Sequence, residues 1–276
     1  MKAMAYPPSP GGLPPQSALM SRRALFTDTH AVIPRGTMTD IVTSFWPGWR
    51  NSRAWVLARP LTGFAETFTQ AIVEVGPGGG AEKAELEPDG ESVLFVTEGQ
   101  VTLHGPSTSA FLLPGSYAYQ PPGYDWSLTN ESKQKAVMTL IRKAYQRVPG
   151  IAPPQPVIVH EAEIEPEYLL DSAGAWGTKR FVDPEDLAHD MHVNIVEFLP
   201  GGTIPFPETH VMEHGIYVLE GTGTYMLNQT HVQVEAGDFL WLRAFCPQAC
   251  TASGPGRFRY LLYKDVNRAM PLKLGR

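Results

Sequence analysis

The stretch PETHVMEHGIYVLEG, residues 207 to 221, places Glu208, His210, Glu213 and His214 close together and then runs into an apolar segment that reads as a strand. Carboxylates and imidazoles at such spacing are the side chains that ligate divalent first-row ions. On extended chain Glu208 and His210, two apart, leave from one face; His214 keeps that parity and Glu213 does not. Glu213 is therefore assigned to a solvated face or to a supporting place behind a ligand. A second chemical signal closes the chain's last strand run, FRYLLYKDVNR, where Phe258, Tyr260, Leu262 and Lys264 share a face. If that face lines a cavity, the Lys264 ammonium needs an anion, because an unpaired buried charge is costly. A substrate carboxylate, helped by the phenols of Tyr260 and Tyr225, would supply it; a place at the cavity mouth beside Asp265 or solvent is the plainer alternative.

The elements that must position these groups are mostly strands. Glycine and proline number 26 each, and short runs such as FTQAIVEV, SVLFVTEGQVTLHG and HVNIVEF alternate or are rich in β-branched and aromatic residues. Helix is minor, its best candidate being Pro184–Ala188, where proline and acids suit a first turn. With 276 residues, 43% of them hydrophobic, the chain can bury one large core or two ordinary ones. A net charge of −6, with no basic block longer than Arg22-Arg23, argues against nucleic acid as a partner. No apolar run is long enough for a membrane helix, and the proline-rich start lacks the apolar centre of a signal peptide. Cys246 and Cys250 stand too close together to staple distant segments, which fits small buried hydrophobes in a reduced, cytoplasmic setting.

An internal repeat organises the whole. IVEVGPGG at 72 to 79 matches IVEFLPGG at 195 to 202, a shift of 123; the shift then settles at 122, laying Gly99 on Gly221 and Gly115 on Gly237. SVLFVTEGQV falls on HGIYVLEGTG without a gap. Two copies of one β-rich unit follow, with an amino-terminal arm (1–40), a first domain (41–146), a proline-bearing linker (147–189) and a second domain (190–276). Glycine corners between short strands suit an antiparallel barrel or jelly roll.

The second copy resembles the cupin pattern, which in general form is glycine, five residues, histidine, one, histidine, three or four, glutamate, six, glycine. Here Gly202, Glu208, His210, His214 and Gly221 meet every spacing, with glutamate and histidine exchanged, and Gln248 takes the histidine position of the second cupin motif. These four donors would come from separate stretches of the second barrel onto one divalent ion, Mn²⁺, Fe²⁺, Co²⁺ or Zn²⁺, and leave coordination positions open for chemistry. In the first copy Gly115, Pro121, Gly123 and Asn130 stand where a cupin has them, but Leu86, Pro88, Ser92 and Trp126 replace the ligands. That domain reads as a cupin that has lost its metal, with Trp126 filling the vacated volume and Arg142 at the place equivalent to Lys264. The expected fold is an all-β bicupin, two tandem antiparallel barrels with few short helices. His30, His104, His160, His192 and His231 are assigned structural places.

The combination of ETHVMEHGIYVLEGTGTYMLN, the glutamine of PQA and YLLYKDVNR is similar to the (S)-ureidoglycine aminohydrolase family of bicupins in allantoin and purine catabolism, and the likeness extends to PPGGLP and the linker. What that resemblance implies is manganese held by Glu208, His210, His214 and Gln248, with Tyr225, Tyr260 and Lys264 contacting substrate. It also implies hydrolytic release of ammonia from (S)-2-ureidoglycine, Glu208 and Lys264 serving catalysis, and a homo-oligomer acting on a small molecule. A metal-dependent cupin dioxygenase, or a binding bicupin without turnover, are the competing expectations.

Overall fold

A computed structural model describes residues 5–12, 23–60, 63–169 and 172–265; arm residues 13–22 and the closing VNR (266–268) lie outside the described residues. The described residues form twenty strands. The first barrel is built from β3 (Trp49–Ala58), β4 (Phe68–Ala81), β5 (Gly90–Glu98), β6 (Val101–His104), β7 (Ser109–Leu112), β8 (Ser116–Gln120), β9 (Ser127–Thr129) and β10 (Ala136–Ala144). The second comprises β13 (Trp176–Arg180), β14 (Met191–Phe198), β15 (His214–Glu220), β16 (Thr222–Leu227), β17 (Thr230–Glu235), β18 (Phe239–Leu242), β19 (Gln248–Ala252) and β20 (Phe258–Asp265).

Within the sheets the spatial orders are the same: β3-β4-β10-β5-β8 in one barrel and β13-β14-β20-β15-β18 in the other. The outer strand is exchanged. β2 (His30–Ile33), from the arm, pairs with β18 of the second barrel, with β1 (Leu25–Phe26) beside it. β11 (Val157–His160), after the first barrel, pairs with β8 of that barrel. The segment 147–189 thus carries structure of its own, since β12 (Glu167–Tyr168) and β13 extend the second sheet.

The repeat is visible in backbone geometry. Gly99 and Gly221 both have positive φ, +70° and +77°, and a Cβ would lie 2.2 Å from the carbonyl oxygen of Lys135 in one barrel and 2.1 Å from that of Arg257 in the other. Lys135 and Arg257 are themselves 122 positions apart in the chain. Only glycine fits either corner.

Three apolar layers result. Val137 and Ile141 of β10 and Leu261 and Tyr263 of β20 belong to a cluster shared by the two barrels, whereas Met138 and Leu140, and Phe258 and Tyr260, fill the barrel interiors. Strands buried on both faces have no polar side to show, which is why these runs read as nearly continuous apolar sequence.

Among the described residues helix is confined to single 3₁₀ turns such as Arg35–Thr37, Asp40–Val42 and Glu161–Glu163. The helix expected at Pro184–Ala188 is not formed; the segment is a pair of turns. Asp183 and Asp186 accept hydrogen bonds from the backbone of Glu185 and Ala188, at 2.8 and 2.9 Å, and such side-chain turns compete with a helix too short to nucleate.

Candidate metal centre

The donors sit at one end of the second barrel. Glu208 and Gln248 form an isolated antiparallel bridge, each backbone N–H donating to the other's carbonyl at 2.9 Å, so their side chains emerge side by side. After Glu208 the chain leaves extended geometry: residues 209–213 are loop and bend, and the His210 carbonyl accepts from Phe245 N–H at 2.6 Å. Strand parity does not carry His210 and His214 to one face. The bend does, bringing His210 Nε2 within 3.5 Å of Glu208 Oε1 and the two imidazole centroids to 5.1 Å.

His214 opens β15 and is buried, with the Gln248 side-chain amide 3.2 Å from its Nδ1. Its Nε2 has no hydrogen-bond partner among the described residues. Burial first, then the neighbouring His210 and Lys264, lowers its pKa to about 3, so the ring is a neutral imidazole, the form that binds metal ions. A buried ring nitrogen without a partner is unfavourable unless something takes its lone pair. Two imidazoles, a carboxylate and an amide oxygen are a donor set that a divalent first-row ion accepts. Among the described residues no trio of histidine, cysteine, aspartate or glutamate side chains is drawn tightly enough to hold an ion alone. The four stand instead as two pairs, Glu208 with His210 and His214 with Gln248.

Beside them lies a cavity of about 290 Å³. Alternation along β20 turns Tyr260, Leu262 and Lys264 into it, as anticipated. Lys264 stands directly opposite His214 on one side and His192 on the other. Burial and Arg180 lower its pKa, an effect that Glu208 partly offsets. Tyr225 does not line the cavity; it is buried behind Tyr260, ring centroids 5.9 Å apart. Cys246 and Cys250 are free, buried thiols in the barrel interior. Burial first, then the neighbouring Lys264, lowers the pKa of His192 to about 4.

Glu213 is on no solvated face: it is buried, and its carboxylate turns to the first barrel. Arg180 and Asn194 also line the cavity, and sequence reasoning did not single them out. Asn194 has the parity of His192 and Val196 on β14. Arg180 lies in the segment read as linker, and carrying the repeat one strand earlier would have set β13 against β14 as β3 stands against β4.

Two barrels of one topology, with the four candidate donors together in the second, define a bicupin, and residues 194–263 match the cupin domain family. The chain is 33% identical over 247 residues to an Arabidopsis thaliana protein described as (S)-ureidoglycine aminohydrolase, covering 89% of this chain and 78% of that one. It is 29% identical over 258 residues to an Escherichia coli protein of the same description, covering 91% and 94%. Among solved structures, a putative glyoxylate-induced protein from Pseudomonas aeruginosa shares 56% identity with a TM-score of 0.91, over 98% of this chain and 99% of that one. The chain belongs to the (S)-ureidoglycine aminohydrolase family.

Proposed function

We propose that this enzyme hydrolyses (S)-2-ureidoglycine to (S)-ureidoglycolate and ammonia, with Mn²⁺ held by Glu208, His210, His214 and Gln248. The names of its relatives supply the reaction, and one observation in the site carries it to this chain: Lys264, in a half-enclosed cavity beside the four donors, has no carboxylate of the protein to pair with among the described residues, whereas its counterpart Arg142 in the first barrel is bound by Glu85 at 2.7 and 2.5 Å. A cation left open beside a donor set is suited to receive a substrate carboxylate.

In this reading Lys264 clamps the carboxylate, and Arg180, held by Glu167 at 3.0 Å, stands on the adjoining wall. Fixing that group orients the substrate carbon that bears both nitrogens, the gain expected from positioning. Tyr260, kept a neutral phenol by burial, offers a donor to the substrate, and Tyr225 braces it from behind. Water supplies a hydroxyl to the carbon, the bond to the amine breaks, and ammonia leaves with the proton the water gives up. Glu208 accepts and passes on that proton, beside its service as ligand. When bound, a divalent ion makes water a competent nucleophile at neutral pH. Walls fixed on one side of the carbon leave a single direction of approach, hence one product hand.

The same reading includes a division at 41–146 and 190–276 with metal in the second domain only, cytoplasmic residence consistent with two free thiols, and a homo-oligomeric assembly. No helix among the described residues is long and apolar enough to cross a membrane. The test is purified protein reconstituted with Mn²⁺ and given (S)-2-ureidoglycine: stoichiometric ammonia and (S)-ureidoglycolate are expected without O₂ uptake. Absence of ammonia release, or O₂ consumption with aromatic substrates, would overturn the proposal.

A further inference from the structure

The faces of β15 and β20 that turn away from the cavity are as specific as the faces that line it. Along β15 His214 and Ile216 look into the second barrel, so Glu213, Gly215 and Tyr217 look at the first. The Glu213 carboxylate is seated in a socket of donors: Glu66 N–H at 2.7 Å, Thr67 N–H at 2.8 Å and Thr67 Oγ1 at 2.6 Å from the first-barrel segment that enters β4, and Trp241 Nε1 at 2.5 Å from β18. Its own backbone N–H donates to Asp265 Oδ1 at 2.7 Å, tying the start of β15 to the end of β20. The neighbours of that tie are His214 and Lys264, paired in register.

Contact behind the ligand strand is equally close. A Cβ on Gly215 would lie 2.6 Å from the Phe68 ring and 2.7 Å from Gln70 Oε1, both on β4 of the first barrel. Phe68 stacks on Tyr263 of β20 at 4.0 Å between centroids, and Thr67 Oγ1 lies 2.9 Å from the Tyr263 hydroxyl. Four short hydrogen bonds to one buried carboxylate are strong, directional constraints on the backbone that carries them. Here that backbone is one residue from a ligand, where small displacements of a donor weaken metal binding.

We propose that the first barrel, itself without ligands, sets the cation affinity of the second, and that Glu213 is the positioning residue that transmits it. The inference rests on the reading of Glu208, His210, His214 and Gln248 as a metal site. It assigns the first barrel a function beyond assembly: it is the rigid backing against which the strands carrying His214 and Lys264 are held.

The experiment titrates the full chain, stripped by chelation, with Mn²⁺ alone and follows free Mn²⁺ by EPR, alongside thermal unfolding. Glu213→Gln places an amide N–H against backbone or indole donors and should weaken Mn²⁺ binding by about tenfold or more. Thr67→Val, made in the other barrel, should shift it in the same direction by less. The control is Glu161→Gln, which breaks a second buried carboxylate bridge, from the segment after β11 to Arg259 at the opposite end of β20 from Lys264. It should lower the unfolding temperature and leave Mn²⁺ affinity unchanged. Parental affinity in both Glu213→Gln and Thr67→Val, or equal weakening in Glu161→Gln, overturns the proposal; if Glu213→Gln does not fold, Thr67→Val decides it on the same outcomes. A parent chain that binds no Mn²⁺, with His214→Ala making no difference, overturns the metal-site reading itself and the inference with it.

Discussion

The two barrels have solved one problem in opposite ways. At equivalent places on β10 and β20 each holds a cation, Arg142 and Lys264. In the first barrel Glu85 meets the guanidinium through two hydrogen bonds, its carboxylate further held by the N–H groups of Leu86 and Glu87 at 2.9 Å. At two of the four ligand-equivalent positions Ser92 bonds Gln120 at 3.2 Å and Trp126 is buried against Trp49, centroids 6.5 Å apart. The cation there is answered from within, although Gln120 Nε2 beside Ser92 has no hydrogen-bond partner among the described residues. In the second barrel His214 Nε2 has no hydrogen-bond partner among the described residues, and Lys264 faces a cavity. The difference teaches that a site is marked less by which residues are present than by which are left for a ligand to complete.

Paired substitutions at repeat-equivalent positions break or sharpen this comparison. The largest contrast is His214→Ala against Ser92→Ala. The first should abolish bound metal, measured by elemental analysis, and lower ammonia release on the order of a thousandfold. The second should retain both and cost about 1 kcal/mol in denaturant unfolding, the worth of one hydrogen bond. Full activity in metal-free His214→Ala would remove the distinction between the barrels. Next comes Trp126→Ala, which empties the space a ligand once used: about 3 to 4 kcal/mol of stability should be lost, with kcat per bound metal unchanged. Third is Lys264→Met, expected to retain metal yet lower kcat/KM by about a hundredfold through loss of orientation. Its counterpart Arg142→Met should leave kcat/KM alone and cost about 2 kcal/mol, a figure reduced from that of a fully buried pair because Arg142 is 32% exposed. Equal kinetic effects of the two would make the cation an inheritance of the fold.

Much of this was legible in the sequence because the repeat supplies its own control. A constant offset of 122 aligns glycines whose positive φ the backbone demands, and it sets the candidate donors against Leu86, Pro88, Ser92 and Trp126. What was not legible depends on partners the chain meets only in three dimensions. HAVI at 30 to 33 is an apolar run that suits the edge of either barrel, and nothing local tells it to cross to β18. Arg180 was hidden by the prolines that precede it, which made the whole segment look like linker. Parity excluded Glu213 from the cavity correctly, but parity says only which way a side chain does not point; the socket behind it is made by Glu66, Thr67 and Trp241, far away in sequence. Glu208, His210 and His214 were expected on one strand face, and they converge through a bend instead, an outcome that spacing alone does not distinguish.

The smallest contrast is one of pH. His214 and His192 in the second barrel have folded-state pKa values lowered to about 3 and about 4 from an ordinary 6.5, chiefly by burial. The unfolded chain therefore binds more protons than the folded one between those values and 6.5, and stability must rise with pH across that window. The slope is at most about 1.4 kcal/mol per pH unit for each imidazole. The equivalent of His214 in the first barrel is Ser92, which does not titrate. With metal removed, unfolding followed from pH 6.5 down to 4 should show a loss of stability that His214→Gln and His192→Asn each make shallower, while Ser92→Ala leaves the slope as it is. An unchanged slope in both histidine variants would mean that these rings are not the buried neutral groups that set the second barrel apart.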